Sequence, residues 1–259
     1  MSSASRLSVA YAVVYRYARI QISNPSLFVP YLLFPLMSFM AYAGGLSRLR
    51  SIPGFHYTGG YTSFQFVFVL LQSAAFGGVF TGFSVARDFE YGFARRLLIA
   101  APRRSGLVLG YVGAALLRWT IVATVVTAVG LAARMHIGGN GIEIVGLYTL
   151  GAIVNIAFTL WAAGVALRTR SIQSGPLMQT PVFLLLFLAP VYVPLSLLSG
   201  WIHGVASVNP FTAFVEAGRG LISGDRYNTG AAFGIAFVMG AGLILWAILG
   251  LRRAERTTS

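Results

Sequence analysis

Asp88 and Glu90 stand two residues apart in a chain with only six acidic residues. Carboxylates this sparse are placed to hold a cation, a proton or a polar partner. Phe89, Phe93 and Leu97 repeat around them at i, i+4 and i+8, with Gly92 and Arg96 between, the spacing of one helix face. Neither carboxylate has an arginine three or four residues further on, so no local ion pair forms. These charges are expected to be free for headgroups or a protein partner. A second set is Asn209, Pro210, Thr212, Glu216 and Arg219. A third, Gln72, Arg118 and Asn155, sits inside long apolar runs. Such groups bond one helix to another or line a polar path. All three sets suit binding and positioning; none has the clustered His, Cys and acids that bond-breaking chemistry needs.

The missing residue types narrow the function. All 19 basic residues are arginine, and the chain has neither lysine nor cysteine. Without lysine there is no Walker A lysine, so ATP chemistry of the usual P-loop kind is excluded from this chain. Without cysteine there is no disulfide, thiol nucleophile or cysteine metal site. His56, His136 and His203 are scattered, and no metal or cofactor is expected. A net charge of +13 would suggest nucleic acid in a soluble protein. Here the arginines flank apolar runs, where they meet anionic headgroups. The expected partner is a bilayer, not nucleic acid. Residues 1–19 are too polar for a cleaved signal.

The elements that must position these residues are membrane helices. With 57% hydrophobic and 10% charged residues, the chain offers six stretches near the roughly 20 residues that span a bilayer. They are 27–45, 61–84, 107–133, 146–167, 176–198 and 231–251. Backbone groups in lipid must be satisfied within the segment, so these are helices. The fold class is an all-α integral membrane protein, a single membrane domain over 1–259 with six transmembrane helices. With the N-terminus inside, thirteen arginines fall in inner segments (at 6, 16, 19, 87, 95, 96, 103, 104, 168, 170, 252, 253 and 256) and five outside (48, 50, 134, 219 and 226), Arg118 lying within a span. This bias places both termini in the cytoplasm.

Three further segments are expected. Residues 5–22 form an interfacial helix with Leu7, Tyr11, Val14, Ala18 and Ile22 on one face, or else a plain extension of the first span. Residues 86–104 form a cytoplasmic helical segment that Asp88 caps and Pro102 ends. Residues 208–224 form a short outer helix, capped by Asn209, opened by Pro210 and stopped by Gly224. It measures only about 20 Å, so it is re-entrant or interfacial, with Glu216 and Arg219 paired at i and i+3. Arg118 either faces the bundle interior or snorkels to the inner headgroups. Gly77–Gly78 and Gly240–Gly242 permit close helix packing. Prolines at 181, 190 and 194 are expected to kink the fifth span.

At 86–110, ARDFEYGFARRLLIAAPRRSGLVLG, the chain resembles the cytoplasmic coupling segment of type-2 ABC transporter permeases. Asp88, Glu90, Gly92, Leu97, Leu98, Pro102 and Arg104 occupy its places, with Phe93 where threonine is common. At 208–224, VNPFTAFVEAGRGLISG, it resembles the same family's Asn-Pro motif before the last span, through Asn209, Pro210, Thr212, Glu216, Arg219 and Gly224. The wording is most similar to daunorubicin-resistance permeases. The resemblance implies an efflux subunit in the cell (inner) membrane that exports a hydrophobic drug or lipid. It implies a homodimer, or a heterodimer with a related permease, on a pair of separate ABC ATPase subunits. It assigns Asp88, Phe89, Glu90, Gly92, Phe93, Arg96 and Leu97 to ATPase coupling. From its position just outside the final span, the short helix with Asn209, Pro210, Thr212, Glu216 and Arg219 is expected to be an outer gate, or else a rigid surface plug. Gln72, Arg118 and Asn155 are the pathway candidates.

Glycan export uses the same architecture and remains an alternative, as does a non-ABC membrane transporter. An importer permease would carry a Glu-Ala-Ala loop, which only Glu216–Ala217 approaches. A lipid-acting membrane enzyme would need clustered acids or histidines. A secondary transporter would show inverted repeats, and none is evident.

Overall fold

Every element of the computed structural model is helical among the described residues, which are 4–94, 96 and 105–256. The α-helices are α1 (Ala4–Ser23), α2 (Pro25–Met40), α3 (Gly60–Glu90), α4 (Ser105–Ala132), α5 (Gly141–Thr169), α6 (Gly175–Phe187), α7 (Gly200–Val208), α8 (Pro210–Ser223) and α9 (Thr229–Arg256). Five segments are long and apolar enough to cross a membrane: Phe28–Gly45, Gly60–Glu90, Ser105–Ala132, Gly141–Thr169 and Thr229–Ala254. The chain is an all-α membrane protein.

The centre is α3. It is apolar on all sides, the pattern of a helix enclosed by others, and most of its residues from Tyr61 to Asp88 are buried. Glycine lets α5 approach it. A Cβ on Gly78 would lie 2.4 Å from the Thr159 backbone nitrogen, and one on Gly82 would lie 2.4 Å from the Ala162 Cβ. This is small-residue packing of the kind that replaces the hydrophobic drive in lipid. Gly240 and Gly242 on α9 differ from expectation: a Cβ there meets nothing within 4 Å. They face away from the bundle beside exposed Phe237 and Val238.

The expected fifth span, 176–198, is not one helix. α6 covers 13 residues, about 20 Å. Its first turns carry Pro181, but Pro190 and Pro194 lie beyond its end, where they stop the helix instead of kinking it. The segment still crosses the bundle. At one end the Ile172 amide donates to Glu90, and at the other the Gln65 side chain donates to the Val191 carbonyl. Glu90 and Gln65 stand 25 residues apart on α3, about 37 Å. The carbonyls released where α6 ends are met by side chains. Asn209 Nδ2 donates to Leu185 O, Tyr61 Oη to Tyr192 O, and Arg219 to Pro190 O and Val191 O. Unmet carbonyls inside a membrane protein would cost several kcal/mol each, roughly.

α1 packs on α4, where Gly110 and Gly113 receive Val13 and Val14. The buried face is Val13 and Tyr17; Leu7, Tyr11 and Ile22 of the expected apolar face are exposed. An outward apolar face suits a helix lying in lipid. After α6 the chain forms α7, which the sequence reading does not foresee. Only Ala206 of α7 is buried, and Trp201 is exposed.

Candidate functional site

Asp88 closes the last full turn of α3 and therefore caps nothing; the helix runs to Glu90 and turns at Tyr91–Gly92, where Gly92 has φ +73°. A positive φ there suits glycine. A new helical stretch begins at Phe93. Leu97, Leu98, Pro102 and Arg104 lie outside the described residues.

The expectation that Asp88 and Glu90 are free is overturned by partners far along the chain. Asp88 is 4% exposed. It accepts two bonds from the Arg16 guanidinium, both at 3.1 Å, one from Tyr17 Oη at 2.6 Å and one from Tyr111 Oη at 2.9 Å. Burial, and then the neighbouring Asp88 charge, push the Tyr17 hydroxyl upward, so it remains protonated and donates. Arg16 also covers the Phe93 ring at 3.8 Å. The surface helix, the central helix, α4 and the start of the next segment thus meet at one carboxylate. Glu90 Oε1 accepts from Ser171 Oγ and the Ile172 amide, both at 2.8 Å. It pins the loop between α5 and α6 to the end of α3. Phe89 packs partly against the core, and Arg96 is exposed.

Beside this junction is a cavity of about 550 Å³. Tyr31 of α2, Arg87 of α3, Arg118 of α4 and Gln179 of α6 are among its walls. Arg118 does not snorkel: it is 8% exposed, its Nη2 donates to Thr81 Oγ1 at 2.5 Å, and it lies 5.0 Å from the Tyr31 ring centre. Asn155 sits behind Tyr31 across Gly77 and bonds the Ala74 carbonyl. Gln72 and Asn155 are buried and do not line this cavity. Of the three pathway candidates, Arg118 lines it, Asn155 lies behind its Tyr31 wall, and Gln72 stands apart. Tyr31 and Thr81 were missed, because a tyrosine or threonine in an apolar run carries no signal until a buried arginine stands beside it.

At the opposite end α8 matches its expected start and stop. Asn209 Oδ1 accepts from the Phe211 amide, Pro210 opens the helix, and Gly224 ends it with φ +87°. The Glu216–Arg219 pair is present at 3.0 Å. Arg219 is 3% exposed. Besides Glu216 it bonds the Pro190 and Val191 carbonyls, and its guanidinium lies 3.3 Å from the Phe64 ring centre. Thr212 and Glu216 line a second cavity, of about 560 Å³, together with His203 and Tyr227. Among the described residues no group of His, Cys, Asp and Glu could hold a metal.

Residues 47–252, more than half of the chain, match the family model described as ABC-2 family transporter protein. The chain belongs to the ABC-2 transporter family. The match takes in Asp88, Glu90 and Tyr111 of the junction and the Asn-Pro helix, while Arg16 and Tyr17 precede it. No curated protein matches the chain. As an ABC-2 permease it is a multi-pass transport subunit, and the family implies that an ABC ATPase is its partner.

Proposed function

We propose that this ABC-2 permease is an exporter subunit that moves a hydrophobic drug or lipid-like substrate out of the cell, driven by a pair of separate ATPase subunits. The observation that carries the reading is the junction at the end of α3. Glu90 holds the 171–172 loop, Asp88 holds Arg16, and Arg16 covers Phe93. A load applied at Gly92–Arg96 would reach α1, the central α3 and the head of α6 together. That is the wiring a coupling segment needs to convert ATPase closure into movement of the pathway. In this reading Asp88, Phe89, Glu90, Gly92, Phe93, Arg96 and Leu97 couple to the ATPase. Arg118 and Asn155 adjoin the path, and α8 with Asn209, Pro210, Thr212, Glu216 and Arg219 closes its outer end.

The test is Glu90→Arg. The carboxylate acceptor for two donors is lost, and a like charge meets Arg170 nearby. The variant should insert normally and lose most stimulated ATP hydrolysis by the co-purified ATPase. Normal stimulation in a correctly inserted variant would remove the junction from the coupling mechanism.

A further inference from the structure

The cavity beside the junction carries an uncompensated charge. Among the described residues, two arginines line it, Arg87 and Arg118, and no carboxylate does. Arg118 offers five N–H donors. Its Nη2 bonds Thr81, and its Nε has no partner. Tyr31, 5% exposed and lining the same cavity, has a hydroxyl without a partner. The neighbouring carboxylate, Asp88, is already filled by Arg16, Tyr17 and Tyr111. A guanidinium at this depth in a membrane protein is costly, and such groups mark the paths of polar or charged ligands. One threonine hydroxyl and an aromatic face offset little of that cost. An oxyanion would offset it, since guanidinium groups bind phosphate and carboxylate by charge-assisted hydrogen bonds.

Apolar walls complete the site. Pro30, Phe80 and Phe83 line the cavity beside the arginines. Phe80, Phe83 and Arg87 follow one another at i, i+3 and i+7 along α3, so an apolar face leads from the cationic rim into the bundle. α1, whose outward face suits a lipid boundary, supplies Tyr17 and Ile20 to the wall. We propose that this cavity binds the anionic head group of an amphiphile, with the oxyanion at Arg118, Arg87 and Tyr31 and the chain along Phe80 and Phe83. That the bound amphiphile is cargo rests on the export reading; the binding itself does not.

The absence of cysteine makes the test direct. Gln179→Cys places one bimane fluorophore in the cavity wall of the full chain, held in phosphatidylcholine nanodiscs. Phosphatidylglycerol should change its fluorescence saturably, and inorganic phosphate should compete only at far higher concentration. Arg118→Gln should weaken lipid binding about tenfold, as expected for the loss of charge-assisted bonds. Tyr31→Phe should weaken it less, and Arg118→Lys should retain most of it. If Arg118→Gln fails to insert, Arg87→Gln carries the same expectation at the rim. An equal response to added phosphatidylcholine, or wild-type affinity in both glutamine variants, overturns the proposal. Phosphate binding as tightly as the lipid also overturns it, by assigning the site to a free anion. No ATPase is present, so this failure is distinct from failure of the Glu90 test.

Discussion

Arg219 shows how one side chain can serve two structures. It pairs with Glu216 on its own helix and also closes the carbonyls at the end of α6. The two partners differ in burial: the Glu216 side chain is 26% exposed and that of Arg219 is 3% exposed. Glu216→Gln should therefore cost under about 1 kcal/mol, as for a partly solvated pair. Arg219→Gln should cost about 3 kcal/mol, since it strands buried acceptors. Detergent thermal unfolding reads both. The i, i+3 spacing alone suggests that exchanging the two charges would restore part of the lost export. The structure reverses this, because a carboxylate at 219 would face the Pro190 and Val191 carbonyls. A charge swap more stable than Arg219→Gln would show that the carbonyl contacts are incidental. The pair was legible because its spacing is local. The partners of Asp88 were not, since Arg16 lies 72 residues away and Tyr111 lies 23 away. Nothing local to Asp88 marks them, and the carboxylate therefore reads as free from its own helix alone.

At the scale of elements, glycine separates buried from open helix faces. Gly78→Ala puts a methyl carbon against the Thr159 backbone, which cannot yield as a side-chain tip can, and should destabilise by about 1–3 kcal/mol. Gly240→Ala meets open space and should be neutral or stabilising by up to about 1 kcal/mol, from helix propensity alone. Equal unfolding midpoints for the two variants would contradict the α3–α5 packing. Sequence could not distinguish these glycines, because both sit in apolar runs and composition does not say which face meets a neighbour. The same blindness affected the fifth crossing. Its apolar length was legible and so were its prolines. Whether Pro190 kinks or stops the helix depends on whether donors wait for the freed carbonyls. Those donors come from Gln65, Tyr61, Asn209 and Arg219, on other elements. The caps of α8 were read correctly because capping is a property of adjacent residues.

At the scale of the molecule, six traverses bring both chain ends to the same end of the bundle. Arg16 of α1 reaches Asp88 at the end of α3, and Arg170, beside the loop that Glu90 holds, reaches the Ala254 carbonyl near the end of α9. Arg87, Arg96 and Arg168 gather at that end, while Arg134, Arg219 and Arg226 belong to the other. For these described arginines the grouping read from sequence matches that of the fold, including across the part-helical crossing, where helix length alone would have given five traverses and opposite ends. The charge bias gives the expectation for orientation, that the arginine-rich end faces the cytoplasm. The cysteine-free chain permits a clean measurement. Arg96→Cys, exposed beside the junction, should resist an impermeant thiol reagent in intact cells and react after permeabilisation. Tyr227→Cys is the better outer reporter than position 226, because Arg226 is bonded to Glu143 at 2.7 Å and Tyr227 is exposed. It should label in intact cells. Labelling at 96 but not at 227 would invert the whole molecule. The junction at Asp88 and Glu90 would then face away from cytoplasmic ATP, and an ATPase could not dock there.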